Sequence, residues 1–142
     1  MKQIITILIF FGLCFSSFAE KNNFFDEAKM LFEEEKYEES KFLFQRNIVY
    51  NPKNAKSYLY LAKIFNLEEN KSEEKKYINT TLLLDPKNEE AMYLLIDIEL
   101  KRSNFSRAEE LKKDFKKICS TMCEKLTSIN SRIKEFEKKD AS

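Results

Sequence analysis

Glycine is almost missing from this chain. Of 142 residues only Gly12 is glycine, and it lies in an apolar N-terminal stretch. That shortage excludes Gly-rich phosphate loops, dinucleotide-binding turns and Gly-dependent nucleophile elbows. It also removes the Asn-Gly and Gly-Gly turns that close tight hairpins, so a β-rich fold is not expected. Histidine and tryptophan are absent altogether. Without His the chain lacks the commonest general acid/base and the commonest transition-metal ligand. Ser-His-Asp and Cys-His catalysis are excluded, and three cysteines are one short of an all-cysteine zinc site. Neither a catalytic centre nor a metal or cofactor site is expected.

Charge of one sign is not in excess either. Beyond residue 19 the chain carries 24 basic and 24 acidic residues. That balance argues against nucleic acid as a partner and against a polybasic membrane patch. The run Glu33-Glu34-Glu35 with Glu38-Glu39 lacks the interleaved Gly of a calcium loop and reads as a solvated helix face.

The first 19 residues have the layout of a secretory signal peptide. Lys2 is followed by an apolar run, Ile4 to Phe15, and by small residues at Ser17 and Ala19. The run is shorter than the roughly 20 residues that span a bilayer. Export with cleavage after Ala19 is the first expectation, placing the protein in the periplasm or cell envelope. Two alternatives remain open: an uncleaved membrane anchor, and lipid attached to Cys14, which Leu13 disfavours because it is not small.

What is present is a period. Pro52 and Pro86 stand 34 residues apart, in Asn51-Pro52-Lys53-Asn54 and Asp85-Pro86-Lys87-Asn88. Short turns at Lys36-Tyr37, Asn70-Lys71 and Asn104-Phe105 repeat at the same interval. Between these marks, apolar residues recur at offsets of three and four, the spacing of one helix face. One set is Phe24, Ala28 and Leu31; its counterparts are Tyr58, Leu61, Ala62 and Phe65, then Met92, Leu95 and Ile96. The second helices carry Ser40, Leu43, Phe44 and Ile48, then Tyr77, Ile78 and Leu82, then Ala108, Leu111, Phe115 and Ile118. Proline ends the second helix of the first two units, and Asn54 and Asn88 can cap the helix that follows. Ser106 with Glu109 reads as a capping box. The turns, lacking Gly, are expected to be built from Asn, Lys, Ser and aromatics.

These units resemble the tetratricopeptide (TPR) repeat family. The first, about 21–54, places Phe24, Ala28, Leu31, Ser40, Phe44 and Pro52 at the pattern positions. The second, about 55–88, has Tyr58, Leu61, Ala62, Phe65, Ile78, Thr81 and Pro86; the third, about 89–122, has Met92, Leu95, Phe105 and Ala108. Departures are Glu27 where Leu is usual, Glu74 where Ala is usual, and Ile96, Lys112 and Ser120 in the third unit. The resemblance implies an all-α solenoid of three helix-turn-helix repeats spanning 20–122. Residues 123–142 supply a C-terminal capping helix and tail, with Leu126, Ile129, Ile133 and Phe136 on its apolar face. One long helix from Ser106 through Lys138 is the alternative, and would favour self-association.

The resemblance also implies a concave groove that binds a protein or peptide. In its register the groove residues are Phe25, Lys29, Phe32, Leu59, Tyr60, Lys63, Tyr93, Asp97 and Leu100. Phe25, Leu59 and Tyr93 form a row repeating every 34 residues. The same row serves equally well as packing between helices. The family's carboxylate-clamp positions hold Phe25, Lys29, Tyr60, Glu90 and Leu94, so no such clamp is expected. Cys119 and Cys123 can form a disulfide only if a bend at Ser120-Thr121 relieves the helical i,i+4 geometry; reduced, packed cysteines are the expected state. A partner protein reached by an exported adaptor is the leading functional expectation. An envelope-anchored subunit, associated with the membrane through its N-terminus and with itself through its last helix, is the second.

Overall fold

A computed structural model describes residues 23–140, with side chains through Glu135. The segment read as a signal peptide, Cys14 and the Phe136 side chain lie outside the described residues. Among the described residues seven helices follow one another: α1 (Phe24–Glu33), α2 (Tyr37–Tyr50), α3 (Ala55–Leu67), α4 (Lys71–Leu84), α5 (Glu89–Lys101), α6 (Phe105–Ile118) and α7 (Lys125–Asp140). No strand occurs among the described residues. Helices α1 to α6 form three antiparallel pairs, and each pair packs on the next.

The helix starts follow the asparagines. Asn54 accepts a hydrogen bond from the Ser57 amide at 3.2 Å and Asn88 from the Ala91 amide at 3.0 Å. Asn70 does the same for Glu73. Each cap satisfies an orphan N–H of the first turn and stabilises by about 1 kcal/mol. The capping box at Ser106 and Glu109 does not form. Helix α6 starts at Phe105 with Asn104 at its N-cap, so Ser106 is already inside it. The Asn104 amide instead donates to Glu99 at 2.8 Å.

The turns inside each pair differ from expectation. Their left-handed residues are Glu35, Glu69 and Ser103, with φ of 61°, 59° and 57°. The amides of Lys36, Asn70 and Asn104 reach back to the carbonyls of Leu31, Phe65 and Glu99, each at 2.9 Å, closing the end of the first helix. Glycine normally takes this position because it has no Cβ to clash. Here two glutamates and a serine adopt it, and the Lys, Asn and Asn next in sequence begin the second helix.

Small residues let the helices approach. Ala28, Ser40, Ala62 and Ala108 are buried, and the Ser40 hydroxyl donates to the Ala28 carbonyl at 2.8 Å. Phe44, Leu61 and Ile64 fill the first core cluster; Ile78, Ile96, Leu111, Phe115 and Ile129 belong to the second. Burial of such side chains stabilises by roughly 1.5–3 kcal/mol each. Glu74 takes the position of Ser40 and Ala108 and is only 2% exposed. Its carboxylate accepts from Asn66 and from Lys71, so the charge is paired. Burial raises the pKa of Glu99, but hydrogen bonds from Lys75 and Asn104 outweigh that and hold it below the usual range.

Helix α6 stops at Ile118, before the two cysteines. Cys119 and Cys123 form a disulfide across a non-helical loop, with Cα atoms 5.2 Å apart. This corrects the expectation of reduced cysteines: the i,i+4 strain of a helix does not apply where the helix has ended. The same break excludes one continuous helix from Ser106. Helix α7 turns back onto the third pair through Ile129 and Ile133, which are buried.

A cleft across the first two repeats

Five of the nine residues expected in the groove line one cleft of about 530 Å³: Phe25, Lys29, Leu59, Tyr60 and Lys63. They come from the first helices of the first two pairs, α1 and α3. Leu59 is 6% exposed, so it forms floor rather than a reaching contact. Tyr60 stacks on Phe44 at 4.9 Å, while Phe25 meets Phe44 and Tyr60 edge-on at 5.7 and 6.0 Å. The aromatic floor is therefore fixed by packing, as the alternative view of the repeating row requires. Its half-buried edges remain accessible.

The other four residues are placed elsewhere. Phe32 packs edge-on against Tyr37 and Tyr60. Leu100 is 2% exposed within the core, which removes it from any groove surface. Tyr93 and Asp97 are engaged by helix α7. Lys125 sits 5.8 Å above the Tyr93 ring, and Arg132 bonds Asp97 at 2.7 Å. Lys101 holds the same carboxylate at 2.6 Å. Burial pushes Asp97 up, yet these two cations outweigh it and leave its pKa below normal. The capping helix thus occupies the third repeat's share of the concave face.

A second wall closes the cleft that periodicity did not reveal. Thr121 and Met122, from the disulfide-closed loop, line it together with Asp85, Lys87, Asn88, Glu89 and Glu90. Glu89 organises this wall. Its carboxylate accepts from the backbone amides of Ser120, Thr121 and Met122 at 2.8–3.2 Å, and from the hydroxyls of Ser120 and Thr121. The Ser120 hydroxyl, aided by those amides, lowers its pKa to about 2. The sequence signal was present only as a first-turn Glu suited to its own helix dipole; nothing local showed a loop 31 residues away would take it.

Electrostatically the cleft is uneven. Lys63 pairs with Glu90 at 2.6 Å and Lys29 with Glu33 at 3.4 Å. Lys56 and Lys87 form no ion pair among the described residues. Glu89 and Glu90 are both occupied, and Asp85 accepts from the Lys87 backbone amide and the Asn88 side chain, which leaves Lys56 and Lys87 as the cations at the opening not held in an ion pair. No group of three metal-ligating side chains occurs among the described residues.

No sequence-family model matches the chain, and no curated sequence matches it. Solved structures do. The Yersinia enterocolitica type III secretion translocator chaperone SycD superposes with a TM-score of 0.71 at 15% identity, over 84% of this chain and 85% of that one. SycD in complex with a peptide of the translocator YopD gives 0.70 at 15% identity, covering 83% and 92%. The second TPR domain of human RPAP3, in complex with an HSP70 peptide, gives 0.65 at 19% identity, covering 77% and 90%. Helix pairs of 34 residues, left-handed turns at one repeat position and these superpositions agree that the chain has the tetratricopeptide-repeat fold, a three-repeat solenoid closed by a capping helix.

Proposed function

We propose that this chain is a protein-binding adaptor whose cleft takes an extended segment of another protein. The observation that carries the reading is the cleft itself: an aromatic floor from Phe25 and Tyr60, with the unpaired Lys56 and Lys87 at its opening. Such a surface suits a segment that alternates apolar and acidic side chains. Peptide complexes of the similarly folded SycD and RPAP3 domains support the reading, as does the poverty of catalytic groups. Export through residues 1–19, and work in the envelope, complete the proposal.

A photocrosslinking residue placed at Lys56 is expected to capture a partner in vivo, whereas one at Lys113 on α6 is not. The double variant Lys29→Glu/Lys56→Glu is expected to weaken the captured complex by about tenfold or more. Equal capture from both positions would remove the cleft from the proposal. Mass spectrometry of the N-terminus tests the export step: a free Glu20 amine is expected, and a lipidated Cys14 or an intact Met1 would replace it with the anchored reading.

A further inference from the structure

The loop that walls the cleft is itself closed by a covalent bond. Cys119 and Cys123 stand four apart in sequence, so their disulfide encloses only Ser120, Thr121 and Met122. It ties no helix pair to another. A ring this short removes less chain entropy from the unfolded state than a long one does, so its part in global stability is small. Its effect falls on the backbone inside it.

That backbone grips a single anion. The amides of Ser120, Thr121 and Met122 all donate to the Glu89 carboxylate, at 2.8–3.2 Å. Consecutive N–H groups converge on one charge only where the backbone is curled into a nest, and the disulfide holds it curled. An open chain would pay conformational entropy to keep that shape. With the loop in place, Thr121 and Met122 line the cleft, and the Glu89 charge is spent on the loop rather than on Lys56 or Lys87. The bond is also within reach of solvent. Cys123 is exposed, whereas Cys119 is partly buried against the second core cluster.

We infer that the Cys119–Cys123 disulfide is a redox gate on the cleft, finished and open to its segment when oxidised and dismantled when reduced. This gate regulates the site proposed above and so rests on the adaptor reading. The reductant is a dithiol. One of its thiolates attacks the exposed Cys123 Sγ, forming a mixed disulfide and expelling the Cys119 thiolate, which takes a proton. The second dithiol sulfur then attacks the mixed disulfide, and Cys123 leaves as a thiolate and is protonated. Two electrons and two protons pass to the protein, and the dithiol becomes a disulfide. The reduced loop lets go of Glu89. A free carboxylate then returns to a cleft that Lys56 and Lys87 also line, where it repels an acidic segment. Thr121 and Met122 no longer hold the wall.

Reducing the purified protein with dithiothreitol is expected to speed amide exchange at Ser120, Thr121 and Met122 by about tenfold or more. Phe44 and Ile64 in the first core cluster should stay protected, showing the fold intact. Glu89→Ala is expected to make the bond about tenfold easier to reduce, because contact and bond stabilise each other reciprocally. That factor raises the midpoint of a redox titration by about 30 mV, a shift that a purely structural disulfide would not show. A fluorescein-labelled peptide of alternating leucine and glutamate is expected to bind the oxidised protein about tenfold more tightly than either the reduced protein or Cys119→Ser/Cys123→Ser. Unchanged loop exchange on reduction, a midpoint indifferent to Glu89→Ala, or equal peptide affinity in the two redox forms would each overturn the gate and leave the adaptor reading standing. Peptide bound by neither form would remove the adaptor reading, and the gate with it.

Discussion

The two ends of the solenoid solve one problem in different ways. A repeat stack must finish somewhere, and each terminal repeat would leave its packing face bare. At the N-terminal end the solution is a substitution. Glu27 occupies the position held by Leu61 and Leu95 in the later repeats; it is exposed, while they are 0% and 6% exposed. At the C-terminal end the solution is an added helix, α7, held by Ile129, by the Asp97–Arg132 pair and by the Glu89-bound loop. The substitution leaves the neighbouring groove open. The helix covers Tyr93 and Asp97 and confines the cleft to the first two repeats.

Exchanging the solutions breaks the comparison most severely. Leu61→Glu places the terminal solution inside the stack, in the apolar cluster with Phe44 and Ile64. It is expected to cost about 4 kcal/mol or more and to leave little folded protein by circular dichroism. Glu27→Leu, the reverse exchange, is expected to change urea stability by only about 0.5 kcal/mol while promoting self-association on sedimentation.

Removing the helix's anchor is next in size. Ile129→Ala should cost about 3 kcal/mol in urea unfolding, because Ile129, on α7, is fully buried. If α7 were only loosely laid over the third repeat, the loss would be much smaller. The Glu89 latch gives a pH signature. Its folded pKa of about 2 lies below the ordinary 4.5, so its contribution is complete above 4.5 and is lost as pH falls toward 2. Glu89→Gln should flatten that limb of the pH–stability curve, and faster amide exchange at Ser120 to Met122 should accompany it. An unchanged acid limb would show that the carboxylate does not hold the loop.

The repeats were legible because their cause is local. Proline at 52 and 86, asparagine caps and apolar offsets of three and four act within a few residues, and the helices follow them. The left-handed turns were hidden by the usual signal for them, glycine, being replaced by Glu35, Glu69 and Ser103. The cleft was half legible for the same reason of locality. Phe25, Lys29, Leu59, Tyr60 and Lys63 follow from repeat register, whereas Thr121 and Met122 join only through Glu89. Tyr93, Asp97 and Leu100 fit the register too, but α7 and the core claim them, and no period contains a helix that turns back.

The left-handed turns have a consequence for engineering the chain as a periodic object. A side chain in this conformation costs about 1 kcal/mol relative to glycine. The three sites lie in separate turns, one repeat apart, so their corrections should be independent and sum. Glu35→Gly, Glu69→Gly and Ser103→Gly should each raise urea stability by about 0.5–1 kcal/mol, and the triple variant by the total of the three. A shortfall in the triple would mean that one repeat's turn senses the next, making the array's cooperativity measurable from its smallest parts.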